Sequence, residues 1–128
     1  MISQMYSAHD NVIISYEVYL KKRIIMLHTE ERTHHKNIEI IFTDVLAHCF
    51  EDEIPGSVIF DICESDISSF ISYNTKLIEC KKNKNWPCAF DTVDELEQKL
   101  KNEEYKYFLI TASYGFTGWV IAKHYSTT

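Results

Sequence analysis

The chain has 128 residues and a mass of 15.1 kDa, room for one compact domain but not for two catalytic ones. With 45% hydrophobic residues and 8 Tyr, 7 Phe and 2 Trp against 3 Gly and 2 Pro, it can fill a core without disulfides, which excludes a disordered chain, a Gly-rich phosphate cradle and a loop-rich secreted scaffold. Lys and Arg number 13 against 19 Asp and Glu, for a formal charge of -6; this opposes long-range attraction to nucleic-acid phosphates or anionic lipid and favours a cationic partner.

The opening Met1-Ile2-Ser3-Gln4-Met5-Tyr6 has no cationic segment followed by an apolar run, and no stretch approaches the ~18 to 20 apolar residues that span a bilayer. A cytoplasmic protein without membrane attachment is expected. Ile14, Tyr16, Val18 and Leu20 are apolar at every second position, with Ser15, Glu17 and Lys21 between or beside them, the period of a strand with one face on a core. Lys21-Lys22-Arg23 makes a charged turn into a second β run over 24–29, and the polar 30–37 segment leads to a third, read as one strand over 38–50. Pro55-Gly56 is the clearest turn signal, before a fourth strand over 58–63.

The period then changes. Ile67, Phe70, Ile71, Leu77 and Ile78 recur at three- and four-residue steps behind Ser65 and Asp66, predicting an amphipathic helix over about 66–82 with an N-cap at its start. Thr92-Val93-Asp94-Glu95 fits a capping box, followed by Leu96 and Leu100, and predicts a short helix over about 93–103. The aromatic and β-branched runs 107–112 and 119–125 return to strand, separated by Tyr114-Gly115-Phe116-Thr117-Gly118. The order ββββ-α-α-ββ predicts a single α+β domain over 1–128: a largely antiparallel sheet of about six strands with both helices on one face.

Candidate chemistry is sparse. Cys49, Cys63, Cys80 and Cys88 form no CxxC, so reduced thiols are expected in the cytosol. His34-His35, His48 and the cysteines lack the close ligand pairs of a structural zinc site, and neither metal nor cofactor is predicted. Ser113-Tyr114-Gly115 is no nucleophile elbow. His48 with Asp61 or Glu64 would make a general base and its carboxylate orienter, the basis of an alternative reading as a small hydrolase or nuclease; that chemistry requires hydrogen-bond reach or one bridging water. Trp86-Pro87 is expected to plug the space between the helices. A ligand-binding regulatory module is a third possibility, marked by an apolar pocket beside Trp86 or Trp119.

The charge distribution is more informative. Between Asn37 and Thr75 there is no Lys or Arg, but there are eight carboxylates: Glu39, Asp44, Glu51, Asp52, Glu53, Asp61, Glu64 and Asp66. Basic residues gather on either side, in 21–36 and again at Lys76, Lys81, Lys82 and Lys84. Glu51, Asp52 and Glu53 at one strand end, with Asp61, Glu64 and Asp66 at the next, are expected to form an acidic edge that meets a basic protein. Tyr114 and Phe116 are candidate exposed anchors beside it, since aromatic residues dominate protein interfaces; the competing reading is a hairpin turn.

Val45-Leu46-Ala47-His48-Cys49-Phe50, Ile59-Phe60-Asp61-Ile62-Cys63-Glu64, Trp86-Pro87 and Tyr114-Gly115-Phe116-Thr117-Gly118-Trp119-Val120-Ile121-Ala122 together resemble small bacterial proteins of uncharacterised function. Some of these are similar to the immunity proteins that accompany secreted or contact-dependent toxins. The resemblance implies a non-enzymatic role: binding a cognate toxin domain and covering its active site. The acidic segment suits a basic, nuclease-like toxin domain, and the net charge predicts no direct contact with nucleic acid.

Overall fold

The computed structural model describes residues 10–128; the opening segment read above for a leader lies outside the described residues. The elements are β1 (Val12–Tyr19), β2 (Ile24–Glu30), β3 (Asn37–Thr43), β4 (Ala47–Glu51), β5 (Val58–Ser65), α1 (Ile67–Cys80), a 3-10 turn (Lys82–Lys84), α2 (Val93–Asn102), β6 (Lys106–Tyr114), β7 (Thr117–Ala122) and β8 (His124–Thr127). The class is α+β with an antiparallel sheet and two helices, but the described sheet has eight strands rather than six. Two long runs account for the difference. The predicted 38–50 strand is divided into β3 and β4 near Asp44, which adopts a φ of 54°. The predicted 119–125 strand is interrupted at Lys123 between β7 and β8.

The strand order is β4-β7-β6-β5-β1-β2-β3-β8. Thr43 pairs with His124, and Ala47 with Ile121, so the bent β3–β4 path runs antiparallel to the bent β7–β8 path on both sides of their kinks. The two ends of the sheet therefore meet through their own chain, and the sheet curls into a barrel. Ile25 and Leu27 of β2, Ile40 and Phe42 of β3, Ile62 of β5, Phe108 and Ile110 of β6, and Val120 and Ala122 of β7 fill its interior. At one end Asn11 donates to the Thr29 hydroxyl at 3.0 Å, and Thr29 donates to the Ile38 carbonyl at 2.7 Å, so these buried polar groups are satisfied.

The helices cover the outside of the β4, β6 and β7 wall, where Ala47, Tyr107, Trp119 and Ile121 pack with Phe70, Ile71, Ile78, Leu96 and Leu100. Asp66 caps α1 by accepting from the Ser69 N–H at 2.8 Å, and Thr92 caps α2 by accepting from the Glu95 N–H at 3.2 Å. Trp86 packs in this layer with its ring centroid 6.0 Å from that of Trp119. Among the described residues no helix is long and apolar enough to cross a membrane.

Candidate binding cleft and acidic turn

The barrel wall is incomplete between β1 and β4. The start of β1 is tied to β5 by the Val12–Val58 pair and by the Ile13 N–H on the Ser57 carbonyl at 2.9 Å. A register shift between Ile13 and Ser15 then inserts one extra residue into β1, and the bulge bends the strand away from β5. The chain from β4 to β5 crosses the resulting opening as the turn 52–57. The outcome is a cleft of about 290 Å³ lined by Ile13, Ile14, Ser15, Tyr16, Glu53, Ile54, Pro55, Ser57 and Phe116.

Its floor is aromatic. The Tyr16 ring stands edge-on to Phe50 at 5.2 Å and to Phe116 at 5.5 Å, and Phe50 meets Phe116 at 4.8 Å. The Tyr16 phenol donates to the Glu53 carboxylate; this bond, with a smaller contribution from burial, raises the phenol pKa above its ordinary value. The rim is apolar and open to solvent, with Ile14 at 59% and Ile54 at 42% exposure; Tyr114, 56% exposed, adjoins Gly115, which lies against Ile54 and Ser57 of the turn. Glu51, Asp52 and Glu53 are exposed beside it, and Asp52 holds the turn in a left-handed conformation with a φ of 58°.

The six carboxylates read as one acidic edge are divided among separate places. Glu51 to Glu53 form the turn at the cleft. Glu64 lies at the far end of β5, about 20 Å from Val58 at the rise of an extended strand, with its carboxylate 4.0 Å from the Lys106 ammonium. Asp66 is occupied as the α1 cap, and the Ser69 N–H bond lowers its pKa. Asp61, on the outer side of β5, accepts from the Ile62 N–H at 2.9 Å and from the Cys63 thiol at 3.1 Å, which raises the thiol pKa. Glu64 and Asp66 line a shallow surface depression together with Lys101 and Lys106, so cations already neutralise that end. Phe116, expected as an exposed anchor, is only 2% exposed: its N–H donates to the Ser57 hydroxyl at 3.1 Å, and its ring turns inward to join Phe50 and Tyr16. Tyr114 stays outside.

His48 and the carboxylates proposed as its orienters do not come together. His48 pairs with Val120, Val120 with Phe108, and Phe108 with Glu64, a path of three strand spacings or about 14 Å. Asp61 is also on β5. His48 is half-buried against Phe50, with ring centroids 5.0 Å apart, and burial lowers its pKa while Glu53 opposes the shift. Among the described residues no group of three or more His, Cys, Asp or Glu side chains is placed to hold a metal ion.

The residues that sequence reasoning missed are Ile13, Ile14, Tyr16 and Ile54. Tyr16 had the period of a core residue. The apolar run Val12-Ile13-Ile14 ahead of the alternating positions was the available signal, because adjacent apolar residues in a strand fit a bulge that turns one side chain outward. Comparison with protein-family models, curated proteins and solved structures found no match.

Proposed function

We propose that this protein is an immunity protein: it binds a cognate toxin domain with a basic, nuclease-like surface at the acidic turn and sterically covers that domain's active site. The observation that carries the reading is the juxtaposition of three exposed carboxylates, Glu51, Asp52 and Glu53, with an aromatic-floored cleft rimmed by exposed Ile14 and Ile54. An apolar centre that excludes water, bordered by charges of one sign, is the usual anatomy of a specific interface. The carboxylates speed encounter with a basic surface, and the apolar rim supplies the contact that holds it. The electrostatic contribution is assigned to residues 51–53, because Glu64 and Asp66 are engaged at the opposite end of β5.

The reading expects a basic toxin domain to be encoded beside this gene, and the test is binding to that domain, measured by surface plasmon resonance over a range of salt. Reversing Glu51, Asp52 and Glu53 to Lys is expected to slow association by about tenfold or more at low salt, with a smaller change in dissociation. A basic toxin domain that binds the reversed variant with unchanged affinity would refute the proposal.

A further inference from the structure

The opening in the barrel wall has two strand edges. Among the described residues, β4 pairs with β7 alone, and β1 pairs with β5 only at its start, leaving the edge of β1 from Ile14 to Tyr19 without a strand neighbour. One end of this seam is closed where the Val45 N–H bonds the Arg23 carbonyl at 2.9 Å and the Arg23 side chain bonds the Val45 carbonyl at 3.2 Å. The other is closed by the Ile13–Ser57 bond. Burial along the seam matches an unfinished wall. On β2 and β3 alternate residues are fully buried, whereas no residue of β1 is, and on β4 only Ala47 is. Tyr16 and Val18 pack on the interior cluster yet remain only partly covered.

The seam is also electrically polar. Glu51, Asp52 and Glu53 stand at one end, and Lys21 and Lys22, both exposed in the β1–β2 turn, stand at the other. The stretch from Ile14 to Tyr19 is about 20 Å long, the length of a six-residue strand. An unpaired strand edge is a template for another strand, with main-chain bonds giving affinity and side-chain pockets giving specificity.

The geometry points to strand addition: an extended segment of the protein partner, cationic at one end and anionic at the other, pairs with the β1 edge and completes the wall. Its basic end lies at Glu51 to Glu53, its acidic end at Lys21 and Lys22, and its inward side chains cover Tyr16 and Val18. The inference rests on the reading that the partner arrives at the acidic turn.

The probe is a synthetic blocked peptide of alternating valine and threonine, with two arginines at one end and two glutamates at the other. Amide hydrogen exchange of the full chain is followed by NMR. In the free protein the seam-facing amides of residues 14–19 are expected to exchange fast, while those facing β2 are slow. Millimolar peptide is expected to slow the seam-facing amides by about tenfold or more. The same peptide N-methylated at alternate residues, which removes its main-chain donors, is expected to have no effect. Protection already present in the free protein would overturn the proposal: concentration-dependent protection would assign the seam to a second copy, and concentration-independent protection to bonding within the chain. Exchange unchanged by millimolar peptide would also overturn it. The two readings fail separately. Peptide protection together with toxin binding insensitive to residues 51–53 keeps the seam and removes the acidic turn; the converse result removes the seam alone.

Discussion

The phenol of Tyr16 and the carboxylate of Glu53, 37 positions apart in sequence, are joined by a hydrogen bond across the mouth of the cleft. Tyr16 belongs to a strand and Glu53 to a turn, so this contact ties the acidic turn to the barrel. Tyr16→Phe keeps the ring contacts with Phe50 and Phe116 and removes only the bond. A loss of no more than about 1 kcal/mol in urea unfolding is expected, because the bond is open to solvent. Amide exchange in 52–57 is expected to quicken, and a turn whose exchange is unaltered would show that the bond does not hold it.

Tyr125 points into the barrel, where its hydroxyl is buried without a hydrogen-bond partner among the described residues. Burial pushes its pKa from 10.0 up to about 12, with a smaller contribution from Asp61. A pKa raised by folding means that the unfolded chain loses this proton first. The stabilising contribution is therefore complete below pH 10 and disappears as pH rises through 12, a loss of about 1 to 2 kcal/mol after allowance for partial exposure. Tyr125→Phe is expected to leave stability at pH 7 unchanged or raised by up to about 1 kcal/mol, because an unpaired buried hydroxyl is removed. Urea unfolding from pH 9 to 12 should show a shallower alkaline decline for the variant than for the wild type.

Phe116 and Tyr114 flank Gly115, yet their substitutions should be read in different assays. Phe116→Ala empties a fully buried ring site and is expected to cost about 3 to 5 kcal/mol in denaturant unfolding. Tyr114→Ala removes an exposed ring and is expected to stay within about 0.5 kcal/mol of wild type, while lowering affinity for a partner that docks beside the acidic turn. A destabilised Tyr114 variant with normal binding would place that side chain in the scaffold instead.

Gly118 lies on β7 opposite Phe50, and a Cβ built there would sit 2.2 Å from the Cys49 carbonyl oxygen. Backbone cannot yield as a flexible side chain does, so Gly118→Ala is expected to push β4 from β7 and to cost about 2 kcal/mol or more. Gly56 has a φ of +83° with open space around it, and Gly56→Ala should cost only about 1 kcal/mol of conformational strain. Thermal melts of the two variants check the order.

Local signals in the sequence located most elements because they act over a few residues. The Asp66 and Thr92 caps and the change of period after Ser65 are decided by near neighbours; the alternation in β1 located the strand but not its buried face, since Ile14 and Leu20 are exposed. Barrel closure was not legible, since it depends on Thr43 meeting His124 and Ala47 meeting Ile121, pairings that no local period encodes. The acidic segment was visible as composition, but its division was not. Glu53 and Glu64 occupy opposite ends of one strand's length, and only the fold shows that Lys106 attends one of them. Phe116 and Tyr114 shared a single aromatic cluster in the sequence; which of them turned inward was fixed by the hydroxyl of Ser57, distant in the chain.

β7 is covered on both faces, with Val120 and Ala122 turned to the barrel interior and Trp119 and Ile121 to the helices. A strand shared in this way makes the two clusters mechanically inseparable: the helical layer cannot peel away without uncovering Trp119, and the barrel cannot open at β7 without loosening the helices. The molecule should therefore unfold as one cooperative unit.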